Sequence, residues 1–301
     1  MEFSGDPQLT RKFKMGKITT KGTGDYNEVI EKLLRMIEGN YGTHKSANPV
    51  GSLLLSAIRA SSKDLMILPM ASYLGQGAKQ CRAIEEPKDK LKSAPKGIGG
   101  KDRTDRRDTW YLGGQDNPDT EFDERYTPLG QVAEGGGSDA LLYFTPSEWG
   151  GGESACSGPG TKWPADQVLF HELVHALRDM QGLSNPVPTV NTSYLNEEEF
   201  LAIVLEGVYV SAKGGTKFRA NHFDDSVLWS PLDTSKGFVE YKDNGDNGDN
   251  GEILNYYSSM WQPFFGQLAN LTQPKFNPFR EVILRKGKRS STLPRLKAST
   301  R

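Results

Sequence analysis

Cysteine is nearly missing from this chain. Two in 301 residues, Cys81 and Cys156, cannot make a disulfide framework and allow one bridge or none. No window approaches 18 consecutive apolar residues, so no segment reads as a membrane-spanning helix. The opening residues, Met-Glu-Phe-Ser-Gly-Asp-Pro, lack the apolar core of a secretory signal. The expectation is therefore synthesis in the cytoplasm without a cleaved signal, with any export following another route. Net charge is also absent: 37 basic against 38 acidic residues leave −1, and no nucleic-acid partner is expected from so weak a field. Histidine is scarce too, with four, so where the histidines fall carries information.

What is present is a moderate apolar fraction (36%) and much glycine, which points to a real core carrying long Gly-rich loops. Residues 1–24 are polar and Gly-rich and are expected to be loosely ordered. Residues 25–284 are expected to form one domain, and 285–301 a solvated basic tail with seven basic residues and no acid. Asp25 suits a helix N-cap, Val29, Ile30, Leu33, Leu34 and Ile37 repeat at helical spacing, and Gly39 stops the run. A second helix is expected over 51–60. Leu65-Met66-Ile67-Leu68 reads as a buried strand halted by Pro69, and 139–145 as another halted by Pro146. The stretch from 75 to 137 looks turn-rich, with a short strand at Trp110-Tyr111-Leu112. The Asp-Asn-Gly repeat at 243–251 spaces its acids by three rather than alternately, which reads as a flexible loop and not a calcium site. A closing helix or two are expected over 254–271.

Two of the four histidines stand in His171-Glu172-Leu173-Val174-His175. On a helix, residues four apart share a face, so both imidazoles reach one tetrahedral zinc ion while Glu172 stands beside them as a general base. The helix is expected from Pro164 to Gly182, a first-turn proline and a C-terminal stop. Leu169, Phe170, Leu173, Val174, Leu177 and Met180 surround the motif, so the helix is buried, and buried His-Glu-His needs a partner such as zinc.

A catalytic zinc wants a third protein ligand and an open position. A histidine six residues past His175 would complete one version, but Gln181 stands there and Arg178 replaces the glycine that version needs. The second helix opens Asn196-Glu197-Glu198-Glu199-Phe200-Leu201-Ala202. Glu199 shares a face with Ala202, Ile203 and Glu206, the side expected to pack on the histidine helix. It is the first choice, with Glu198 next. Asn196 with Glu199 also comes close to a capping box, a purely local reason for the same residues.

The stretch 171–179 resembles the HExxH helix of gluzincins, including the Asp four residues past the second His. That resemblance implies that Asp179 orients a ligand histidine from behind. Asn-Glu-x-Glu-Phe-x-Ala resembles the second zinc helix of anthrax-lethal-factor-like peptidases, whose ligand matches Glu199. The acid that follows one turn later in that family is Ile203 here, leaving its role unfilled or moved. Over residues 50–205 the order of motifs resembles the NleD-like effector zinc metallopeptidases of bacteria: Leu54, Leu55 and Ile58, a strand, Gly137-Ser138-Asp139 leading a strand, then Leu-Phe-His-Glu-Leu-x-His-Ala.

The resemblance implies an α+β, zincin-like fold with a small mixed sheet, the HExxH helix and a second helix carrying the glutamate. It also implies a zinc endopeptidase, one Zn2+ per chain on His171, His175 and Glu199, acting as a monomer on a protein or peptide substrate. The source would be a bacterium, with the chain secreted or translocated into a target cell as an effector or toxin. Glu172 would take a proton from the metal-activated water and return it to the leaving amine. Tyr194 and His222 are the two candidate donors to the oxyanion, and the strand at 139–145 the candidate for pairing with extended substrate. Cys156 reads as a free thiol rather than a zinc cap or a partner for Cys81. Two rival readings are a non-catalytic scaffold with a closed structural zinc and a DNA-associated HExxH protein.

Overall fold

The computed structural model describes residues 11–39, 47–74, 83–94, 134–150, 162–185, 194, 196–221, 227–228, 230, 232–241 and 250–291. Among them are five strands in one mixed sheet and ten helices, an α+β architecture. None of these helices is long and apolar enough to cross a membrane.

Strands β1 (Arg11–Met15) and β2 (Ile18–Gly22) form a hairpin, turned at Gly16 with φ +64. This part of the chain was expected to be loose. It is ordered because alternation puts Ile18 and Thr20 inward, and because β2 pairs with β3 (Leu65–Leu68). Strand β5 (Ala140–Tyr143) lies parallel to β3, and β4 (Ile84–Pro87) runs antiparallel along its outer side, giving the order β1-β2-β3-β5-β4. β5 therefore has a neighbour on each side and has no free edge for substrate. Among the described residues β4 rather than β5 is an edge, and it falls in the region that looked like turns because Ile84-Glu85-Glu86-Pro87 has no apolar run.

One face of the sheet carries Ile18, Leu65, Ile67, Ala140 and Leu142 into the core. Helices α1 (Tyr26–Glu38) and α2 (Pro49–Ala60) pack there with the central helix α5 (Ala165–Gln181). Single-turn helices α3 (Ala71–Leu74) and α4 (Lys90–Ser93) join the strands. α5 is buried from Asp166 to Met180, because the sheet, α1, α2 and α6 (Glu197–Ala212) surround it. A C-terminal layer of α7 (Ser235–Glu240), α8 (Asn250–Met260), α9 (Phe264–Asn270) and α10 (Pro278–Ser291) closes the core with Trp261, Phe265 and Phe279. α8 starts at Asn250, four residues before the expected Leu254, and α10 extends into the stretch that looked like a tail. Most of the Asp-Asn-Gly repeat, the possible strand at 110–112, Cys81 and Cys156 lie outside the described residues.

The end of α5 is pinned to the entry of β5. Ser138 N–H donates to Asp179 O at 3.0 Å, and Gly137 sits at φ +81 with its missing Cβ 2.0 Å from Met180 O. No other residue type fits there, so Gly137 fixes how closely the helix approaches the sheet.

Candidate metal centre

One turn of α5 separates His171 from His175, and their Nε2 atoms come within 3.1 Å of each other. α6 packs alongside and brings Glu199 Oε2 to 3.2 Å from His171 Nε2 and 3.6 Å from His175 Nε2. All three side chains are buried. Zinc keeps about 2.0–2.1 Å from such donors, so tetrahedral zinc spaces its ligands roughly 3.3 Å apart. The observed triangle brackets that spacing, and the donor set of two imidazoles and a carboxylate suits zinc. The described residues thus supply three converging ligands to one possible ion.

Asn196 caps α6 with its side chain, accepting from Glu199 N–H at 2.8 Å. Capping and facing the histidines are compatible in Glu199. Its backbone is capped, and its carboxylate faces the histidines.

The three consecutive glutamates have separate partners. Glu197 accepts from Tyr257 Oη at 2.7 Å and from Asn185 Nδ2 at 2.9 Å. Glu198 pairs with the buried Arg178 and accepts from Asn185 N–H at 2.7 Å. Arg178 is further held between the rings of Tyr257 and Trp261, at 4.9 and 4.8 Å. Glu198, the second choice for the ligand, is committed to this lock, which ties α5, α6 and α8 together. The lock fixes the direction in which Glu199 points.

Behind the centre, His171 Nδ1 lies 3.1 Å from Glu206 Oε2. Glu206 stands two turns beyond Glu199 on α6, and Ile203 occupies the position one turn on. Glu206, rather than a residue at 203, meets the back of the His171 ring. The signal available in the sequence was the spacing of seven, which keeps Glu206 on the face of Glu199. Burial disfavours a charged His171, but the Glu199 and Glu206 carboxylates outweigh it and raise its pKa to about 9 in the absence of metal. The proton on Nε2 then occupies the place a cation would take.

Glu172 is buried to 7% exposure and makes no hydrogen bond or ion pair among the described residues. Its carboxylate acts on the adjacent His171 through charge. Asp179 was expected to hold a ligand histidine. Its hydrogen bonds go instead to Glu85 and Ser184, and it reaches His175 by charge. Burial, above all, raises the Asp179 carboxyl to about 6, while its hydrogen-bonding neighbours Glu85 and Ser184 pull it back down. Tyr194 packs edge-on against Phe200, 4.9 Å between ring centres, and burial pushes its hydroxyl pKa well up. His222 lies outside the described residues.

No family model, curated protein or solved structure matches this chain. The functional reading therefore rests on the residues themselves and on the motif resemblance.

Proposed function

We propose that this chain is a zinc-dependent endopeptidase of the gluzincin type with a zincin-like active site. The observation that carries the proposal is the convergence of His171, His175 and Glu199 beside an uncommitted carboxylate, Glu172. Zinc, when bound, supplies a Lewis acid that makes water nucleophilic near neutral pH and stabilises developing negative charge on the substrate carbonyl.

The chain's own residues divide the remaining work. Glu172 takes a proton from the attacking water and hands it to the leaving amine nitrogen. Its freedom from hydrogen bonds suits that exchange, since a carboxylate locked by donors is a poorer base. Tyr194 stays protonated through the neutral range and is the candidate donor to the oxyanion, with His222 the alternative. The outer edge of β4, packed near α5, is the surface to which an extended peptide would add as a further strand. Glu198 and Glu206 are held by Arg178 and Arg219, whereas Glu172 has no such partner among the described residues.

The resemblance to NleD-like effectors supports a target-cell protein as substrate. The test is incubation of the zinc-loaded protein with host-cell lysate and mapping of new peptide N-termini, with Glu172→Gln as control. New ends that depend on Glu172 are expected. Zinc bound with no new ends would favour the scaffold reading.

A further inference from the structure

We infer that Arg219 is a positioning residue for the metal centre, acting through Glu206 to hold the His171 ring with Nε2 turned toward the ion. The inference rests on the metal-centre reading and adds to it a residue outside both zinc helices.

Arg219 Nη1 donates to Glu206 Oε2 at 3.1 Å, the same oxygen that meets His171 Nδ1 at 3.1 Å. The other oxygen, Oε1, accepts from Gln167 Nε2 at 2.5 Å. A carboxylate held on both oxygens cannot rotate away from the imidazole. Its acceptor then selects the tautomer with hydrogen on Nδ1, which leaves the Nε2 lone pair for a metal. Arg219 is itself well placed to do this. Its backbone bridges to Val227, the preceding Phe218 accepts from Leu228 N–H at 2.8 Å, and Phe218 stacks on Phe276 at 4.7 Å. The guanidinium lies over the Trp163 ring, 5.7 Å from its centre.

Charge gives a second reason. Glu206 is packed behind a ring whose other nitrogen faces the metal position. Glu206 is 1% exposed, and a buried carboxylate without a cation is costly. Arg219 supplies that cation.

The test is a double-substitution cycle read as affinity for Co2+ and Zn2+, with the visible spectrum of the Co2+ form as a report on ligand geometry. Arg219→Met should weaken binding about 10-fold, within the range seen when outer partners of ligand histidines are removed. Glu206→Gln should weaken it similarly, and adding Arg219→Met to Glu206→Gln should change it by less than about 2-fold, because the arginine acts through the glutamate. Arg219→Lys should restore affinity to within about 3-fold, since one charged donor is what Oε2 needs. It also serves if the methionine variant does not fold. Wild-type affinity and spectrum in Arg219→Met, or losses that simply add in the double variant, would overturn the inference while leaving the metal centre in place. A wild-type chain that binds neither metal would remove both.

Discussion

Glu199 and Glu206 contact opposite nitrogens of one imidazole. Glu199 Oε2 lies 3.2 Å from His171 Nε2, and Glu206 Oε2 lies 3.1 Å from its Nδ1. Two turns of α6 thus grip a side chain on α5 from both ends. Under the proposed zinc reading, the two glutamates have different duties, Glu199 toward the metal and Glu206 behind His171.

Neighbouring glutamates should separate by phenotype. Glu199→Ala should abolish stoichiometric zinc binding and leave the fold largely intact. Glu198→Ala should keep the ligands but strand the buried Arg178, which costs about 3–5 kcal/mol when one partner of such a pair is removed. Metal content by mass spectrometry and denaturant unfolding check both. Zinc loss in the Glu198 variant at unchanged stability would reverse the assignment.

Proton linkage gives a pH prediction. In the metal-free protein His171 is raised from 6.5 to about 9. The stability this gives the metal-free fold is complete below pH 6.5 and disappears as pH rises through about 9. Zinc must displace that proton, so affinity should climb with pH across the same window. Calorimetry near pH 7.5 in buffers of different ionisation enthalpy should report release of about one proton per zinc. Binding without proton release would contradict the account.

Glu172→Gln should retain one zinc per chain and the wild-type melting temperature while the cleavage rate falls by about 100-fold or more, the contribution typical of a positioned general base. Rate measurement on a mapped cleavage site, at equal zinc content, decides it. Retained activity would sink the general-base role.

Gly137→Ala should destabilise the protein by roughly 2–4 kcal/mol, because the new Cβ meets Met180 O in a left-handed backbone conformation. Thermal unfolding measures this. A neutral outcome would mean that the contact between α5 and the entry to β5 relaxes freely.

Much of the site was legible before the structure. Pro164 and Gly182 bound α5 within a residue of the expectation, and helical periodicity placed both histidines together. The face shared by Glu199, Ala202 and Ile203 singled out, from three glutamates, the one whose carboxylate meets both histidines. What escaped depends on tertiary partners. β4 carries two acids in four residues, and only the fold sets the buried Glu85 beside Asp179. The hairpin at 11–22 is polar by composition and gains order from pairing with β3. Arg178 reads as a surface charge on any helical wheel, yet Glu198, Tyr257 and Trp261 hold it fully buried. Arg219 lies beyond both zinc helices with no local pattern, and only the fold brings it to Glu206.

The central claim is an open metal centre with three protein ligands. X-ray absorption at the zinc edge of the loaded protein tests it most directly. The account predicts a first shell of nitrogen and oxygen only, at about 2.0–2.1 Å, with two imidazoles, one carboxylate and one solvent atom. A sulfur neighbour at about 2.3 Å would place a cysteine on the ion, close the site and contradict the account.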